Sequence, residues 1–170
     1  IKEADILRAS VVFLHSALED YIRGILVEFI PKQSDIKTLN SISLLGSEGR
    51  PEKFSLGQLK DYEEQTVKDL IEASVKEHMS KISFNNCTDL SSWLRKISID
   101  VSRFHQFDKV DNMILRRHKI VHEVDTNRTY GRGNHSATSI NLPTVNSWLN
   151  AVKGLVDLIE EQITRPTYCA

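Results

Sequence analysis

A chain of 170 residues, 40% hydrophobic and 26% charged, is too apolar for disorder and long enough to bury a continuous core without disulfides or a structural metal. Its formal net charge of −1 excludes a globally basic surface, so any phosphate-binding site has to be local. Cys87 and Cys169, far apart in sequence, make no disulfide framework; no apolar run approaches the roughly 18–20 residues that span a bilayer, and the first residues lack the pattern of a secretory signal. One cytoplasmic domain covering residues 1–170, with no membrane association, is expected.

Residues 4–29 place Ile6, Leu7, Phe13, Leu14, Ala17, Leu18, Tyr21 and Ile25 on one broad arc at a period of about 3.6, which predicts a long core helix ended by Pro31. Polar and turn-forming residues then dominate from Lys32 to Phe54, a long connection with room for one short helical turn. Ser55 with Gln58 is a capping-box pattern opening a second helix to about His78 or Met79. The stretch SFNNCT interrupts, and Leu90, Trp93, Leu94 and Ile97 mark a short third helix with Asp89 as its cap.

A fourth helix is predicted from Phe107 or Asp108 to Val124, followed by an exposed loop, DTNRTYGRGNHSATSIN. Leu142 and Pro143 open a last helix whose apolar face carries Val145, Trp148, Leu149, Val152, Leu155, Val156, Ile159 and Ile163. No segment alternates as a strand and no repeat is present. The expected fold is all-α, an up-and-down helical bundle of four major helices plus one short helix.

On the fourth helix Val110, Met113, Ile114, Ile120 and Val121 share one arc with Arg117 in its middle. Guanidinium cannot shed its charge, so Arg117 there implies either a buried structural ion pair or a functional site. His118 and His122, four apart, fall together at the edge of the arc, and Arg116, Lys119 and Glu123 on the solvent side. The Arg-to-His spacing alone is weak, since about 0.35 such pairs arise by chance in this composition. The two histidines could chelate a cation, but no third ligand follows, so neither metal nor other cofactor is expected. His15, His78, His105 and His135 read as surface or satisfied core residues, Glu19 and Asp20 as a solvated face with some chance of pairing with Arg117, and Trp93 and Trp148 as core.

The string RRHKIVHEVD on a late helix resembles the HEPN signature, an Arg, a polar residue and, a few positions on, a His; Arg117, His118 and His122 fill those roles. The opening RASVVFLHSALEDYIRGIL is similar to the first helix of the RiboL-PSP-HEPN subgroup, and the likeness covers most of the chain. It implies a homodimer that joins two copies of the motif in a cleft, with Arg117, His118 and His122 as catalytic residues. It also implies a metal-independent ribonuclease of toxin, antiphage or RNA-processing type, RNA as partner and, for toxins, a cognate antitoxin. Other members are inert dimerisation or nucleotide-binding modules. A Tyr commonly stands two positions after the His in toxins governed by a nucleotidyltransferase; here that residue is Val124, so control by modification there is not expected. Between 116 and 135, Arg116, Lys119, Arg128 and Arg132 join Arg117 against Glu123 and Asp125, a basic rim suited to RNA contact.

Overall fold

The computed structural model describes residues 2–46, 55–123, 125 and 138–164, which are helical with no strand among them. The helices are α1 (Glu3–Gln33), α2 (Ile36–Asn40), α3 (Leu56–Lys60), α4 (Val67–Ser80), α5 (Cys87–Lys96), α6 (Phe107–His122) and α7 (Leu142–Thr164). The all-α bundle is therefore as the periodicity predicts, with α1, α4, α6 and α7 as its long members.

Helix α1 packs against α4, α5, α6 and α7 and carries the axis of the core. Leu7, Val11, Leu18, Ile22, Leu26 and Ile30 form its buried row, one side chain per turn. The predicted arc was too broad: Ile6 is 57% and Phe13 74% exposed, and Ala17 is exposed as well. Pro31 does not end α1, which runs two residues further. A proline in the last turn removes one backbone donor without blocking the residues after it. Termination falls on Ser34, whose backbone turns extended while its N–H and hydroxyl both donate to the Ile30 carbonyl (3.3 and 2.6 Å).

The predicted second helix is two helices. Ser55 and Gln58 open α3 as expected, Ser55 N–H donating to the Gln58 side chain at 2.7 Å. After a turn, Thr66 starts α4 afresh, its hydroxyl accepting from Asp69 N–H (3.1 Å) while its own N–H donates to the Asp69 carboxylate (3.2 Å). This reciprocal pair satisfies donors a continuous helix would have bonded internally. Leu56 and Val67, apolar residues at the starts of these two helices, are 82% and 76% exposed. On α5 the cap is Asn86, which accepts from Asp89 N–H at 2.8 Å, so Asp89 lies in the first turn. Buried Cys87 opens α5, and burial raises its thiol pKa.

At the far end of α6, Asp125 N–H reaches back to the Lys119 carbonyl at 3.0 Å, the long-span bond of helix ends that reverse direction. Asp125 has φ of 50°, a conformation Asp tolerates better than most residues. One of its carboxylate oxygens accepts from Arg8 Nε on α1 (2.7 Å) and Arg116 Nη2 on α6 (2.9 Å). Both guanidiniums also donate to the Thr138 carbonyl, and Thr138 N–H donates to the Asp125 carbonyl at 2.8 Å. Asp125 is 2% exposed, so this clamp joins α1, α6 and the approach to α7 inside the protein. Asp125→Asn, which leaves two guanidiniums facing a neutral amide, is expected to cost roughly 3–5 kcal/mol in urea denaturation; Arg8→Met, which leaves Arg116 paired, is expected to cost less.

Candidate functional site

Successive residues of α6 point about 100° apart, so its basic run is distributed rather than pooled. Arg116 is not on the solvent side as predicted. Its side chain is 14% exposed and tied to Asp125, Thr138 and Ser139, because the acceptors that draw it inward lie beyond the helix end. Arg117 is half-buried, with its Nε enclosed and without a hydrogen-bond partner. Among the described residues it forms no ion pair. Glu19, considered as its partner, instead bonds Arg23 at 3.2 Å, and Asp20 is exposed.

His118 and His122 are exposed, and their rings lie 4.7 Å apart between centroids, tilted by 44°. That is the neighbourhood their spacing implies. Lys119 is exposed, and Glu123 is half-buried. Of the predicted apolar arc, Val110, Met113 and Ile114 are buried and Ile120 is partly so, whereas Val121 is 48% exposed. The helix therefore emerges from the core over its last turns, and the motif side chains lie where it emerges. Arg128 and Arg132 lie outside the described residues, as does His135.

His15 was read as surface or satisfied core; it is buried at 4% exposure with Nδ1 unpartnered. Burial lowers its pKa most, the Arg117 charge lowers it further, and Glu19 and a bond to the Phe84 backbone act in the opposite sense. A neutral imidazole thus sits beside the arginine of the motif. Position 15 falls four residues after Val11 and three before Leu18 in the buried row of α1, and that register was the available signal. Arg8 and Asp125 were missed as well, since their pairing spans 117 residues of sequence.

Trp93 and Trp148 are partly buried rather than core. Lys96 Nζ lies 3.5 Å over the Trp93 ring, and Trp148 lines a cavity beside Lys119. No group of three or more His, Cys, Asp or Glu among the described residues could hold a metal ion. Nor is any described helix long and apolar enough to cross a membrane.

A family model described as RiboL-PSP-HEPN matches residues 1–165. No curated protein and no solved structure matches the chain.

Burial holds both His15 and His78 below the ordinary histidine value of 6.5. The unfolded chain therefore takes up protons below about pH 6.5 that the folded chain refuses, so stability is full above that pH and falls as pH drops toward the folded values. Thermal melts of His15→Gln are expected to lose stability less steeply below pH 6.5 than the parent, with a residual slope from His78. An unchanged slope would mean that His15 is not held neutral.

Proposed function

The chain belongs to the RiboL-PSP-HEPN family, and on that premise we propose that it is a metal-independent endoribonuclease acting in the cytoplasm as a twofold dimer. HEPN domains are often ribonucleases, while others serve as nucleotide-binding modules. The observation that favours catalysis is the half-buried guanidinium of Arg117, without an ion-pair partner among the described residues, on the same helix end as two exposed imidazoles 4.7 Å apart. A charge that is desolvated without a partner is unfavourable for folding alone. An anionic ligand relieves that cost.

RNA carries its own nucleophile in the 2′-hydroxyl. Cleavage requires a base to take the 2′-OH proton as the O2′–P bond forms, an acid to protonate O5′ as the P–O5′ bond breaks, and a cation for the phosphorane. Histidine is the side chain whose ordinary pKa best suits both proton transfers near neutrality. His122 of one protomer acts as base and His122 of the partner subunit as acid. Arg117 stabilises the developing charge, and His118 orients the site or contacts RNA. The products are a 2′,3′-cyclic phosphate and a 5′-OH, and DNA, lacking the nucleophile, is not cut.

Apolar side chains exposed on the two helices support the dimer. Ile6 and Phe13 of α1, with Val121 of α6, are each 48–74% exposed, and a partner covering them would remove apolar surface from water. A toxin, antiphage or RNA-processing role, with an antitoxin in the first case, belongs to this reading.

Purified protein incubated with tRNA and mRNA in EDTA is expected to cut RNA and leave cyclic-phosphate ends. Activity that disappears in EDTA and returns with Mg²⁺ or Zn²⁺ would count against the mechanism. His122→Ala and Arg117→Ala are each expected to lower the rate by about 10²- to 10⁴-fold. His122→Ala should melt normally, and Arg117→Ala at or above the parent temperature. Lys68→Ala, 79% exposed on α4, is the control and should keep the parent rate. A His122→Ala protein that still cuts at the parent rate would leave the binding-module reading. Light scattering at micromolar concentration is expected to give twice the monomer mass.

A further inference from the structure

Beside the imidazole pair, a cavity of about 420 Å³ opens between α6 and the start of α7, within the span of roughly 300–1,000 Å³ usual for small-ligand sites. Asn112, Leu115, Arg116 and Lys119 supply one wall, and Ile140 and Trp148 face them. The four α6 residues recur at intervals of three and four, so they form one stripe of the helix. Among the described residues the lining holds two cations, no carboxylate and one large aromatic ring. Arg116 is committed to Asp125 and forms a fixed part of the wall, while Lys119 is exposed and can meet an anion directly.

An aromatic face beside cations is the chemistry that holds an unstacked base and its phosphate. Acidic peptides or sugars would call for other linings, cations without the ring or paired carboxylates and amides. Lys119 precedes His122 by three residues, one helical turn and about 5 Å along the axis. A strand whose scissile phosphate lies at His122 therefore brings an adjoining nucleotide to Lys119. We propose that this cavity is a nucleobase subsite for single-stranded RNA, in which the base of a nucleotide flanking the cleaved bond stacks on Trp148 and its phosphate pairs with Lys119. Asn112, exposed at the rim, can bond the base edge. A duplex does not fit this site, because its bases remain stacked on each other. The subsite rests on the ribonuclease reading of Arg117 and His122, and extends it to how the substrate strand is held.

The test uses the full chain carrying His122→Ala, which prevents cleavage, and Trp93→Phe, which leaves Trp148 as its single tryptophan. The probe is a single-stranded RNA pentanucleotide in EDTA. Saturable quenching of Trp148 emission is expected, with the midpoint found by anisotropy of an end-labelled copy. Trp148→Leu is expected to weaken binding about 5- to 100-fold, and Trp148→Phe, which keeps an aromatic face, only a few-fold. Should the leucine variant melt early, the phenylalanine variant and the emission titration still decide the matter. Lys119→Ala should make the salt dependence of binding shallower by about 0.7 in log–log slope, the contribution of one single-strand phosphate.

Binding of the pentanucleotide with unaltered Trp148 emission, or equal binding by the leucine variant, would overturn the subsite and leave the ribonuclease reading standing if the parent still cuts RNA. Absence of any binding overturns it too. Quenching and weakened binding as expected, in a protein whose parent cuts no RNA, would instead uphold the subsite and remove the catalytic reading.

Discussion

One carboxylate oxygen of Asp125 receives Arg8 from α1 at 2.7 Å and Arg116 from α6 at 2.9 Å, and the same two guanidiniums reach the Thr138 carbonyl. Two cations on a single buried anion are tolerable because backbone carbonyls of Thr138 and Ser139 supply further negative partial charge. The consequence is geometric. The end of α6 is fixed against the start of α1, and positions 125 and 138 are bonded to each other, so the chain leaves and re-enters at one place. Everything carried by the last turns of α6 is held at an angle set by this clamp.

The same clamp explains why a run of Arg, Arg, His and Lys does not make a basic patch. Arg116 is neutralised internally, Arg117 is half-buried with its Nε enclosed, His118 is exposed and Lys119 lines the cavity beside α7. A helix sends four consecutive side chains in four directions, so sequence clustering of charge becomes division of labour. A chain with a net charge of −1 can in this way present positive potential at a few chosen points without a repulsive surface.

Local rules were legible in the sequence because their causes are local. Periodicity located α1, α6 and α7, and the Ser55–Gln58 and Thr66–Asp69 pairs are caps formed within four residues. The split at Thr66 was missed because apolar periodicity continued through it, although Thr66-x-x-Asp69 carried a weaker form of the signal that opened α3. The motif triplet was legible as well, since three residues on one helix have a relative placement that the helix itself dictates. What could not be read was anything set by distant segments. Arg116 looked solvent-facing from the helix alone, and its inward turn depends on Asp125, Thr138 and Ser139. Burial of His15 was signalled by its place between Val11 and Leu18 in the buried row of α1, whereas Phe13, about 200° away around the helix, entered the predicted arc by its apolar side chain alone. A buried histidine in an apolar row nonetheless warrants suspicion, since its unfilled hydrogen-bonding capacity has to be answered by some neighbour.

That neighbour sets the electrostatics of the motif. His15 and Arg117 come together across the α1–α6 contact, and a charged imidazole there would repel the guanidinium. Burial keeps His15 neutral, so the repulsion is absent. Glu19, 3.9 Å from His15 Nδ1, is engaged by Arg23 at 3.2 Å, and Arg23 is itself anchored to the carbonyls of Met79 and Ile82. The Glu19 carboxylate is therefore committed within α1. Among the described residues no ion pair engages Arg117, so under the proposed function an incoming phosphate would have no internal pair to break. Had Glu19 faced Arg117 instead, the protein would gain an ion pair and the site would lose its cation.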